Sequence, residues 1–146
     1  VVLMITLKDL ITVINTTLAT KFPKINIVSI DIEEGFKRPA FFVDIDNHNK
    51  STIGEVLKDV NLTVRIYYFS ASKYKNRIEL LEMTENLTNM FLTNLKINED
   101  FYIPIDEVNS TVTEEKALIV DFDIRYVYEV SEDEDLEILE DLNINI

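Results

Sequence analysis

Two segments of this 146-residue chain alternate apolar and polar side chains with a strict period of two. In residues 60–68, Val60, Leu62, Val64, Ile66 and Tyr68 share one face, and Asn61, Thr63, Arg65 and Tyr67 share the other. In residues 117–130, Leu118, Val120, Phe122, Ile124, Tyr126 and Tyr128 fall together, opposite Asp121, Asp123, Arg125 and Glu129. Successive side chains of a strand point to opposite sides of a sheet. The alternation predicts two long strands, at residues 55–69 and 117–130, in a sheet packed on one side and wet on the other. That is the habit of antiparallel pairing. A one-residue slip would turn an entire apolar set to solvent, so the register is strongly specified.

Two other segments carry a helical period. Leu7, Leu10, Ile11, Ile14 and Leu18 make one stripe in residues 6–20. Thr6 is placed to cap that helix, with Asp9 three residues on as the reciprocal partner, and Phe22-Pro23 ends it. Leu80, Met83, Leu87, Met90 and Phe91 make the stripe of a second helix over residues 72–95, with Ser72 as its cap. Shorter strands are expected at 26–32, 40–47 and 107–113. Turns fall at 33–39 and 114–116, and 47–54 reads as a polar loop. Residues 101–105 contain Pro104 and read as an edge strand or a loop anchor. The expected class is α+β: a mainly antiparallel sheet with two helices packed on one face.

Residues 1–130 form one domain in this reading, and residues 131–146 form an acidic C-terminal arm. The arm carries Glu132, Asp133, Glu134, Asp135, Glu137, Glu140 and Asp141 without a basic residue. Interleaved Leu136, Ile138, Leu139 and Leu142 are too many large aliphatics for a purely solvated tail. The arm orders against a neighbouring chain or folds back on its own domain.

Chemistry is sparse. The chain has no cysteine, one histidine (His48) and two glycines (Gly35 and Gly54). Thiolate metal sites, nucleophile triads and glycine-rich phosphate loops draw on those residue types. No catalytic, metal or cofactor residue is assigned. Formal net charge is −13, so neither a membrane surface nor sequence-specific nucleic-acid binding is expected, since both want a basic footprint. The start has no basic region followed by a long apolar run, so no signal peptide is expected. Met4 stands where an initiator would, with residues 1–3 upstream of it.

Asp44-Ile45-Asp46 and Asp121-Phe122-Asp123 each project two carboxylates from one strand face. On neighbouring strands, these four acids and His48 could gather round a hard divalent cation. Alternation on a solvated sheet face produces the same spacing without any ligand. Tyr67, Tyr68, Phe69 and Tyr74 cluster after the first long strand, where aromatics either anchor an interface or cover the core edge. Candidate interface residues are Tyr67, Tyr68, Phe101 and Tyr102, with Leu136, Ile138, Leu139 and Leu142 of the arm.

The element order is helix, short strand, strand, long strand, long helix, then further strands ending in a long one. With Met4-Ile5-Thr6-Leu7-Lys8-Asp9-Leu10, Arg38-Pro39-Ala40-Phe41-Phe42-Val43 and Leu62-Thr63-Val64-Arg65-Ile66-Tyr67-Tyr68, the chain resembles the tail terminator (tail completion) proteins of bacteriophages. It is similar in particular to those of prophages and phage-tail-like bacteriocins. The resemblance covers the domain to about residue 130. It implies a homo-oligomeric ring, a hexamer, on the head-proximal end of the tail tube, where it stops tube growth. It implies as partners the tail tube protein, the neck or connector and, in contractile tails, the last ring of sheath protein. Assembly would take place in the host cytoplasm, and the protein would then belong to the particle. The family offers no catalytic residue or cofactor to carry over. Asp44, Asp46, Asp121 and Asp123 would coat the ring lumen and keep passing DNA from sticking. A neck or head–tail connector component is the alternative, and a divalent-metal enzyme using the acid pairs is a third reading.

Overall fold

The computed structural model describes residues 4–28 and 36–130. In chain order the elements are α1 (Leu7–Lys21), β1 (Asn26–Val28), β2 (Ala40–Ile53), β3 (Leu57–Phe69), α2 (Arg77–Phe91), β4 (Asn94–Asn98), β5 (Phe101–Pro104), β6 (Asn109–Val112) and β7 (Leu118–Glu129). The main sheet has the order β1-β2-β3-β7-β6, and β4 and β5 make a separate two-stranded sheet. All pairs are antiparallel except β1 with β2.

β3 and β7 form the centre, paired without a break from Leu57↔Glu129 to Tyr68↔Leu118. This register puts both alternating apolar sets on one face. Val60, Leu62, Val64, Ile66, Leu118, Val120, Phe122 and Ile124 are all buried. Both helices cover that face. α1 buries Leu10, Ile14 and Leu18, and its end brings Phe22 to 5.5 Å from the Phe41 ring. α2 buries Leu80, Met83, Leu87 and Phe91, with Phe91 stacked on Phe122 at 5.1 Å. The class is α+β, a mainly antiparallel sheet with two helices on one side.

The first helix follows its local signals. Thr6 Oγ1 accepts from the Asp9 N–H at 3.0 Å, and Asp9 Oδ2 accepts from the Thr6 N–H at 3.0 Å. Two otherwise orphaned donors are satisfied reciprocally. The same Thr6 bonds hold the Asp9 carboxyl below its ordinary pKa.

Elsewhere the boundaries move. The second helix starts at Arg77, not at Ser72. Ser70, Ser72 and Asn76 instead tie the preceding segment together: Ser70 Oγ donates to Ser72 O at 2.6 Å, and Asn76 Nδ2 donates to Ser70 Oγ at 2.8 Å. Such side-chain bonds compete with helix formation. The helix ends at Phe91, and the next residues turn into β4, where buried Leu95 and half-buried Ile97 alternate with exposed Lys96. β4 gives β5 its partner, with Leu95 opposite Ile103. The expected polar loop at 47–54 is instead the second half of β2, paired from Asn49↔Asn61 to Ile53↔Leu57. Ladder hydrogen bonds need no apolar side chain, so polarity concealed this strand. A bulge between Asp46 and Asn49 interrupts the register, and Asn47 lies there at φ 53°. β1 is seen over Asn26–Val28; the rest of the strand expected to residue 32, and the turn after it as far as residue 35, lie outside the described residues. So does the arm at 131–146.

Candidate assembly surfaces

The solvated face of the sheet carries the four acids singled out from sequence, but it does not gather them. β3 lies between β2 and β7. Arg65 stands opposite Asp44 on one side and Asp121 on the other; Thr63 stands opposite Asp46 and Asp123 in the same way. Two strand spacings separate the acid pairs, about 10 Å, whereas cation–oxygen distances are about 2.3–2.6 Å. Arg65 Nη1 reaches Asp46 Oδ2 at 2.8 Å, and Thr63 Oγ1 donates to Asp123 Oδ1 at 2.8 Å. His48 is exposed at the bulge of β2. Among the described residues, no group of three or more histidines and acids has metal-holding geometry.

Further along the same face, Arg125 bonds both oxygens of Asp59, Nε at 3.2 Å and Nη2 at 3.0 Å. The Asp59 carboxylate raises the Arg125 pKa. The face is therefore a lattice of acids with two arginines set among them, firmly patterned and net negative. A concavity of about 860 Å³ opens there, with Asn61, Thr63, Asp123 and Arg125 in its lining and Asp106 and Glu107 of the β5–β6 connection beside them.

The aromatic candidates divide. Tyr68 is buried on the packed face, 5.2 Å from the Phe41 ring. Burial pushes its hydroxyl pKa up to about 12, and the nearby Glu79 carboxylate adds to the shift. Its position is that of a core residue. Tyr67 points to the other face, half-buried, with its ring 5.8 Å from Phe42. Phe101 is half-buried, 6.3 Å from the Tyr126 ring. Tyr102 is 50% exposed. Leu136, Ile138, Leu139 and Leu142 lie outside the described residues.

One surface was not singled out from sequence. Tyr74, Ile78, Leu81 and Val112 are 71, 66, 54 and 52% exposed, and together they line a groove of about 640 Å³ between α2 and β6. Lys75, Arg77 and Lys116 stand round it. The signal was available: Ile78 and Leu81 are large aliphatics of the helical segment that fall outside its apolar stripe. Periodicity separates a buried stripe from its remainder, and only the fold brings Val112 and Lys116 beside that remainder.

No helix among the described residues is long and apolar enough to cross a membrane. A search of curated proteins finds no match to the chain. A family model described as phage tail terminator protein matches residues 9–137, which takes in nearly all of the described domain. Its members serve as structural components in tail assembly. With a match over that much of its length, the chain belongs to the phage tail terminator protein family.

Proposed function

We propose that this protein closes into a homo-oligomeric ring, a hexamer, on the head-proximal end of a tail tube and ends tube polymerisation. The family match over residues 9–137 carries this reading. Two features of the fold support it. Among the described residues, β1 and β6 are the outer strands of the main sheet, and an outer strand offers unpaired backbone groups to another chain. The acid-rich sheet face gives the ring a surface that repels polyanions.

In this arrangement one rim of the ring meets the tube protein. The opposite rim meets the neck or connector and, where the tail contracts, the last sheath ring. Asp44, Asp46, Asp121 and Asp123 line the lumen, so DNA passes without sticking. The ring forms in the cytoplasm of the bacterial host and is then retained in the particle.

Native mass spectrometry of the purified chain, with and without tube protein, tests the assembly. The expected result is a closed oligomer that binds tube ends and shortens tubes grown in its presence. A monomer at all concentrations, together with tubes of unchanged length, would overturn the reading. For the lumen, lysine at Asp44, Asp46, Asp121 and Asp123 together should slow DNA passage; unchanged ejection kinetics would remove that part.

A further inference from the structure

The groove between α2 and β6 runs against the character of the rest of the molecule. The chain has 14 basic residues against 27 acidic ones, yet Lys75, Arg77 and Lys116 line this one groove against a single carboxylate, Glu79, which already accepts from the Ala71 N–H at 3.0 Å. Its interior is apolar, with Ile78, Leu81 and Val112 more than half exposed. One wall is β6, which pairs only with β7 among the described strands and is exposed throughout. An apolar floor, a cationic rim and an open strand edge together specify an acidic, aliphatic, extended segment.

The chain contains such a segment. Residues 131–146 carry seven acidic residues and no basic one. Leu136 and Ile138 are two apart, as are Leu142, Ile144 and Ile146. Added beside β6 as a strand, such pairs would point to one face and into the groove.

Geometry decides whose segment it is. The described chain ends at Val130, whose N–H donates to Val56 O at 2.8 Å, beside the β2–β3 turn. The groove lies at the other end of β7, where Val112 is opposite Leu118. The strand between, Leu118–Glu129, spans about 40 Å at ~3.3 Å per residue. Leu136 is six residues beyond Val130, so fully extended chain carries it at most about 20 Å. A chain therefore cannot carry the acidic run from Glu132 to Glu137, with Leu136, into its own groove, whereas a neighbouring copy can. Only the last residues, from about Leu142 on, have the reach within one chain, and none of those is acidic.

We infer that the α2–β6 groove is the receptor for the acidic stretch at residues 132–138 of an adjacent copy, which adds that segment to the β6 edge and links the subunits head to tail. This rests on the ring assembly proposed above. Head-to-tail contacts of this kind generate closed rings when the rotation between subunits closes.

The natural chain has no cysteine, so engineered pairs report contact cleanly. Full-length Leu81→Cys chains are mixed with tagged full-length chains carrying Leu136→Cys or Ile138→Cys and then oxidised. Native mass spectrometry is run on the same samples. A mixed disulfide dimer in at least one pairing, absent with a control Ile53→Cys chain, is the expected result. The double variant Leu81→Cys/Leu136→Cys should give a ladder of linked chains, and a cross-linked monomer instead would overturn the inference. Rings without any mixed disulfide would also overturn it and leave the ring reading intact. Absence of both rings and disulfides would sink the two together. As a second readout, Ile78→Glu/Leu81→Glu should weaken oligomerisation at least tenfold with an unchanged melting temperature. Both side chains are already solvated, so folding does not depend on them; rings of wild-type affinity would count against the groove.

Discussion

Asn76 and Lys116 are forty residues apart in sequence, and the Asn76 side chain donates to the Lys116 carbonyl at 3.0 Å. The same amide also donates to Ser70 Oγ at 2.8 Å. Asn76 is 4% exposed, so its amide has no water to fall back on. These bonds tie the start of α2 to the turn between β6 and β7, and both Asn76 and Lys116 line the groove at that end. Asn76→Ala removes both donors and leaves buried acceptors short. We expect a loss of about 1–3 kcal/mol in denaturant unfolding. A variant as stable as wild type would show that the tie carries no energy.

The contact between Phe91 and Phe122 joins α2 to the central strand. Their rings stack 5.1 Å apart with 24° between planes, and both are essentially fully buried. Phe122→Ala leaves a cavity under the helix, at a cost of about 3–5 kcal/mol. Phe122→Leu keeps most of the volume and should cost distinctly less. Urea midpoints for the two variants check the order, and equal losses would mean that ring stacking, not volume, dominates.

At the β2–β3 turn, Gly54 has φ +66°, and a Cβ built there meets no heavy atom within 4 Å. Any penalty for Gly54→Ala is therefore conformational, not steric against neighbours. A left-handed dihedral costs a residue with a Cβ about 1 kcal/mol. A thermal shift of a few degrees downward is expected, with the sheet otherwise intact by circular dichroism.

Stability should fall in strong alkali. Burial pushes Tyr68 up from an ordinary 10.0 to about 12. Burial also raises Tyr126, whose hydroxyl donates to Ile5 O at 3.1 Å. A pKa raised in the folded state means that the native protein holds its proton longer than the unfolded chain. The Tyr68 contribution, on the order of 2 kcal/mol, is present in full below pH 10 and is lost as pH rises from about 10 to about 12. Melting temperatures measured across that window should drop, and Tyr68→Phe should make the drop shallower. An identical slope in the variant would remove Tyr68 as its cause.

Period and capping are local properties, and the chain carried them openly. The alternation in Val60, Leu62, Val64 and Ile66, and in Val120, Phe122 and Ile124, determined which faces of β3 and β7 are buried. Thr6 and Asp9 determined where α1 begins. Side chains three or two residues apart impose these outcomes without any distant partner. The polar half of β2 and the shortened α2 were not legible, because the strand is held by backbone pairing and the helix start by side-chain bonds from Ser70 and Asn76.

Which surfaces face one another was decided only by tertiary structure. Two acid pairs separated by Ile45 and by Phe122 look alike in sequence. Strand order alone sets Arg65 and Thr63 between them, which turns a conceivable cation site into a patterned face. Ile78, Leu81, Val112 and Lys116 are unremarkable where they stand in the chain. They become a groove because α2 lies across the sheet next to its outer described strand, and the length of β7 holds that groove about 40 Å from Val130.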